Sequence, residues 1–219
     1  MTGTGYMKAK VTLETLKSQE KEARRDIIID AAERVFATKP YDKASMREIA
    51  VESGMSTSSI YRFFPNQEAL LVAAAVRATK YFNNVMEQVI QDNEPRRAFQ
   101  IMVDSFIEFI SKNDSFFSMM TILMSQGNLN PESGKAIAEV MNRSLDLMDD
   151  LFRNMGFVNN TRMLSRHLYS SMMGVIVSYN KFPRSNREDV IVLMKRLARM
   201  SYQFVLNCPK EKIEEFLRQ

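Results

Sequence analysis

Apolar residues recur along this chain at intervals of three and four, with no stretch of two-residue alternation, and that spacing predicts helices throughout. Ile28, Ala31, Ala32, Val35 and Phe36 form one stripe of a helix over Arg24–Phe36, and Pro40-Tyr41-Asp42 turns the chain into Ser45. Ser45 with Glu48 reads as a capping box, and Ile49, Ala50, Gly54, Met55 and Ile60 have the spacing of two short helices that cross closely. Gly54 can take the left-handed conformation that a tight inter-helix turn requires, and Ser56 is an N-cap for the second helix. Pro65 stops that helix, after which Asn66 caps a long one carrying Glu68 in its first turn. Further on, Glu94-Pro95 opens a helix to about Lys112, and Asp114 caps one ending at Gly127. Asn130-Pro131-Glu132 starts another ending at Gly156, with proline at the first helical position. Thr161–Lys181 and Asn186–Asn207 are the last long helices, and a short one follows Pro209. The predicted fold is all-α, a three-helix helix-turn-helix domain followed by a larger helical domain.

The second helix of the motif has two unlike edges. At about 100° per residue, Ile60, Phe63 and Phe64 share one arc, while Thr57, Ser58, Ser59, Tyr61 and Arg62 occupy the rest. Hydroxyls, a phenol and a guanidinium are groups that bond to phosphate oxygens and base edges. A short amphipathic helix with an ordinary solvated face would show the same arcs.

Context separates the two readings. Ala31-Ala32, Phe36-Ala37, Tyr41, Ser45, Ile49-Ala50, Gly54, Ser56, Ser58-Ser59-Ile60-Tyr61, Phe64-Pro65, Glu68 and Leu70-Leu71 stand in a fixed order over residues 24–71. This segment resembles the DNA-binding domain of the TetR family of bacterial transcriptional regulators. The resemblance implies phosphate contacts by Ser45, Thr57, Ser58 and Tyr61, with Ser59, Arg62 and Thr57 as candidates for base readout. Arg47 is placed to reach the DNA backbone, and Ser56 and Gln67 complete the expected DNA-binding set. Thr57 and Gln67 stand where the family commonly has lysine, and Pro40 where it has glycine. Losing two cations predicts weaker binding and a shallower salt dependence, since each neutralised phosphate contributes roughly one unit of slope.

The resemblance also implies a domain plan and partners. Residues 1–17 are expected to be a flexible arm, 18–66 the DNA-binding domain, and 67–219 the effector-binding and dimerisation domain. The first 17 residues also admit a start at Met7 or a helical extension. Ser170, Gly174 and Ser178 recur every four residues as a narrow small-residue face, and Leu193, Leu197 and Phe204 belong to a broad apolar stripe that includes Val190, Met194 and Met200. These are the expected homodimer interface. Dimerisation suits DNA geometry, because paired recognition helices must lie about 34–36 Å apart to read successive major grooves. Soft side chains are concentrated between reader and interface. Phe99, Met102, Phe106, Phe117, Met120, Met124, Met141, Met148, Tyr169 and Met172 are the expected lining of a pocket for a small lipophilic effector. Gln126, Arg143, Tyr179 and Asn180 are further polar candidates.

Composition bounds the remainder. The net charge is +4, and residues 1–70 hold 11 Lys/Arg against 10 Asp/Glu, so bulk charge does not itself argue for nucleic acid. The single cysteine, Cys208, excludes an internal disulfide framework and fits a reducing cytoplasm, the expected location. No apolar run approaches membrane-spanning length, and the N-terminal residues are unlike a secretion signal. His167 is the only histidine, so a multi-histidine metal site is excluded and a serine–histidine pair would need that one residue. No glycine-rich phosphate loop occurs. The expectation is a non-enzymatic regulator without cofactor or metal, binding double-stranded DNA as a dimer and released by its effector. An activator or co-repressor of the same fold, or a helical interaction adaptor, are the alternatives.

Overall fold

A computed structural model of the chain describes residues 12–39, 41–125, 129–180 and 186–218. Ten α-helices and one 3-10 turn are present, and no strand occurs among the described residues. The chain divides into two compact units, one running to Leu70 and the other from Leu71.

The first unit holds α1 (Leu13–Thr38), the 3-10 turn (Tyr41–Lys43), α2 (Met46–Ser53), α3 (Thr57–Phe63) and the first turn of α4 (Gln67–Asp92). Its core includes the whole predicted stripe, Ile28, Ala31, Ala32, Val35 and Phe36 being buried on α1, together with Ile29, with Ile49 and Ala50 from α2 and with Ile60 from α3. Burying an isoleucine contributes roughly 1.5–3 kcal/mol, so this small set holds the unit together. The arm requires a correction. Leu13–Lys17 form the first turns of α1, capped by Thr12, whose side chain accepts from the Thr15 amide. Residues 1–11 of the expected arm lie outside the described residues, as does Pro40. The early part of α1 escaped the pattern because Leu13–Ile27 has no buried stripe. It is solvated almost all round and carries same-face pairs such as Arg24–Glu20 at 2.6 Å.

The second unit comprises the rest of α4 with α5 (Pro95–Lys112), α6 (Asp114–Ser125), α7 (Pro131–Asn154), α8 (Thr161–Tyr179), α9 (Arg187–Asn207) and α10 (Lys210–Phe216). Phe99, Phe152, Leu71, Met102, Ile107, Ile110 and Met119 are its largest fully buried side chains. Ion pairs tie neighbouring helices: Lys195 and Arg199 of α9 reach Glu108 and Asp104 of α5, and Arg162 of α8 lies 3.1 Å from the buried Asp149 of α7. Ser165 donates to the same Asp149 carboxylate at 2.6 Å, so this charge is both paired and hydrogen-bonded. The cap of α6 is Asn113 and not Asp114, because the Asn113 side chain accepts from the Phe116 amide at 3.0 Å. Residues 126–128 and 181–185, which include the expected helix ends Gly127 and Lys181 and the candidate Gln126, lie outside the described residues. No described helix is long and apolar enough to cross a membrane.

Candidate nucleic-acid interface and effector cavity

The turn between α2 and α3 is built from backbone hydrogen bonds that only one conformation at Gly54 permits. Gly54 sits at φ 67°, its amide donates to Val51, and the Met55 amide donates to Ala50 at 2.9 Å. This pair of reversed bonds satisfies carbonyls that the end of α2 would otherwise leave open. At the other end of α2 the capping box is complete. The Glu48 amide donates to the Ser45 hydroxyl at 3.3 Å, and the Ser45 amide donates to the Glu48 carboxylate at 3.0 Å. Lys39 also donates to Glu48 at 2.5 Å. The Lys39 ammonium, followed by the Ser45 hydroxyl, holds the Glu48 carboxyl below its ordinary value.

Helix α3 presents the two edges read from the sequence. Ile60 and Phe64 are buried, and Arg25 of α1 lies over the Phe64 ring at 5.2 Å. Phe63 is half-buried. Tyr61 is 51% exposed and Arg62 is exposed, as is Arg47 on α2. Ser56 is the N-cap, accepting from the Ser59 amide at 3.2 Å, and its hydroxyl lies 3.0 and 2.8 Å from those of Ser58 and Ser59. Thr57 is half-buried. Two of the expected contact residues already have work within the unit. The Ser45 hydroxyl donates to Glu48 at 3.0 Å, and the Gln67 amide donates to the Tyr41 carbonyl at 2.8 Å. The structure therefore brings Ser56, Ser58, Ser59, Tyr61 and Arg62 together on α3 and its cap, with Ser45 and Gln67 serving the frame.

The second unit encloses a cavity with about 30 Å³ of free space, little more than a water needs. Met102, Phe106, Met120, Met141, Met148 and Tyr169 line it, as expected from the sequence. Four expected residues do not. Phe99 is fully buried against the Phe152 and Tyr202 rings, each at 5.1 Å, and Met172 is fully buried in the core. Phe117 is buried off the lining, and Met124, near the end of α6, is 51% exposed. Sequence reasoning missed the α4 contribution of Thr79, Phe82, Asn83 and Met86, whose spacing of three and four along one helix was the available signal. Ser144 and Leu147 of α7 were missed as well. Rings from three helices meet at the wall, Phe82 lying 5.7 Å from Phe106 and 5.3 Å from Phe109, with Phe116 5.1 Å from Phe109. Of the other polar candidates, Arg143 of α7 pairs with Glu87 of α4, and Asn180 is buried off the lining.

The expected interface residues are differently disposed. Ser170, Gly174 and Ser178 all face solvent on α8, and a Cβ at Gly174 would meet nothing within 4 Å. The stripe on α9 is really two faces. Val190, Met194, Ala198 and Tyr202 are buried, whereas Leu193, Met200 and Phe204 are exposed, Phe204 by 83%, with Leu197 half-buried between them. His167 is exposed on α8, and no cluster of metal-ligating side chains occurs among the described residues.

The chain thus carries a helix-turn-helix in its first unit and an apolar cavity in its second. Residues 28–74 match the family model of bacterial regulatory proteins, tetR family. That match covers the helix-turn-helix segment and the first turns of α4. It is similar to an HTH-type transcriptional regulator of Mycobacterium tuberculosis, 28% identical over 122 residues, covering 55% of this chain and 56% of that one. The chain thus spans about half the length of this curated relative. Among solved structures, the fold is similar to the transcriptional regulator FadR from Bacillus subtilis in complex with stearoyl-CoA, with TM-score 0.67, 18% identity, and coverage of 80% of this chain and 96% of that one. It is also similar to SmeT, the repressor of the Stenotrophomonas maltophilia multidrug efflux pump SmeDEF, with TM-score 0.60, 17% identity, and coverage of 80% and 87%.

Proposed function

We propose that the chain is a ligand-responsive transcriptional repressor that binds a palindromic DNA operator as a homodimer and is released by a small lipophilic effector. The observation that carries this reading is α3, whose apolar edge is anchored by Ile60 and Phe64 while Tyr61 and Arg62 stand exposed on the other. Arg62 can grip a guanine through two hydrogen bonds, and Tyr61, Ser58 and Arg47 can hold phosphates. The exposed Leu193, Met200 and Phe204 on α9 and the exposed small-residue face of α8 support a second copy packing against these helices. The names of the two structural relatives, a regulator holding stearoyl-CoA and an efflux-pump repressor, support a lipophilic effector and repression.

Helix α4 supplies the coupling. Its first residue, Gln67, bonds to Tyr41 in the reader, and the same helix carries Phe82, Asn83 and Met86 on the cavity wall. An effector that shifts those side chains tilts the helix and changes the separation of the paired readers. Coupling of about 1–3 kcal/mol suffices, and it weakens operator and effector binding reciprocally. The proposed location is the cytoplasm. The test is a gel shift with genomic fragments from around the chain's own gene. Wild type retards a fragment and Arg62→Ala weakens the shift by about tenfold to a hundredfold, the equivalent of about 1–3 kcal/mol. Absence of any shift at low salt would reject DNA binding and favour an adaptor.

A further inference from the structure

The polar groups on the cavity wall differ in what they have left to offer. The Thr79 hydroxyl donates to the Ala75 carbonyl at 2.8 Å. The Ser144 hydroxyl donates to the Asn83 side-chain oxygen at 2.8 Å, and Asn83 in turn donates to the Val140 carbonyl at 3.3 Å. Tyr169 is the exception. Its hydroxyl donates only to the Met141 sulfur, at 3.6 Å. A thioether is a weak acceptor, so this donor is underused. Among the described residues, no charged side chain lines the cavity.

We propose that this cavity takes an uncharged ligand with an apolar body and a hydrogen-bond acceptor oxygen, and that the Tyr169 hydroxyl is the donor that selects it. The proposal rests on the cavity being the effector site and names the chemistry of that effector. A carbonyl, ester or ether oxygen beside Tyr169 replaces the sulfur with a stronger acceptor. A carboxylate or ammonium there would be a buried charge with no opposite charge on the wall, which is costly. Burial also pushes the Tyr169 phenol up to about 12, so it remains a neutral donor across the physiological range. The body is accommodated by displacing methionines, whose unbranched side chains repack readily. Met86, Met102, Met120, Met141 and Met148 all lie on the wall.

The test compares the full wild-type chain with Tyr169→Phe, using displacement of the apolar fluorophore N-phenyl-1-naphthylamine. The competitors share one chain length: methyl decanoate, decane, decanoate and decyltrimethylammonium. Wild type is expected to bind the ester at least tenfold more tightly than either ion at pH 8. Tyr169→Phe is expected to lose about tenfold for the ester, the worth of one hydrogen bond to a buried acceptor, and nothing for decane. If dye and decane bind but the ester gains nothing from Tyr169, or decanoate binds as tightly as the ester, the ligand class is wrong while the cavity reading stands. If neither dye nor decane binds, the cavity reading fails and takes this inference with it.

Discussion

The exposed edge of α3 and the wall of the cavity, the two surfaces proposed to meet a partner, are made in opposite ways. The edge comes from a few successive residues, Ser56 to Arg62, and is held by side-chain caps and by the bonds around Gly54. The wall comes from α4, α5, α6, α7 and α8, and its side chains are chiefly methionine and phenylalanine. A reader must keep its groups in one register to discriminate bases, whereas a ligand wall gains from side chains that can rearrange. The difference teaches where mutation should damage the frame and where it should only retune binding.

The largest effect is expected where the cavity unit is rigid. Phe99→Ala removes a fully buried ring packed on Phe152 and Tyr202 and should cost about 3–5 kcal/mol, read from the denaturant midpoint. A loss below about 1 kcal/mol would mean that the packed core is as pliable as the wall. Gly54→Ala comes next. A Cβ there meets nothing within 4 Å, so the cost is purely that of a left-handed backbone, about 1–2 kcal/mol. Hydrogen exchange should quicken in α2 and α3 and leave α5–α9 unchanged. Smaller again is Met120→Leu on the wall. As a volume-conserving swap it should cost under about 1.5 kcal/mol, while changing the affinity for apolar dyes several-fold. An unchanged dye affinity would argue that Met120 does not meet ligand.

The smallest effect concerns the frame of α5. Glu108 bonds to Lys112 at 2.7 Å and Lys195 at 2.5 Å, and these ammonium groups bring its carboxyl from the ordinary 4.5 down to about 2. A carboxyl with a depressed value in the folded state stabilises above the unfolded value and loses that contribution as pH falls. The pairs are solvent-accessible, so screening leaves about 0.5 kcal/mol. Glu108→Gln should be less stable than wild type by that amount at pH 7, and the gap should close between pH 4.5 and about 2.

The same contrast explains what could be read from the residues alone. Caps, turns and stripes are local, so Ser45 with Glu48, Gly54, Ser56 and the buried arc of Ile60 and Phe64 were legible, as were the bounds of α5, α7 and α9. Opposing helices decide the rest. Phe99 and Phe106 lie seven residues apart on α5, yet only Phe106 meets the cavity, because Phe152 and Tyr202 cover Phe99. On α9, two apolar faces merge into one broad stripe until burial separates Met194 from Phe204. Hydrogen-bond partners are equally nonlocal, so the bond from Gln67 to the Tyr41 carbonyl could not be read from the sequence.

The central claim is that paired copies of α3 enter successive major grooves, and a hydroxyl-radical footprint on a retained genomic fragment tests it most directly. The account predicts two symmetric protected half-sites with centres about one helical turn apart, 34–36 Å, both lost with Arg62→Ala. A single protected patch, or protection that survives Arg62→Ala unchanged, would contradict it.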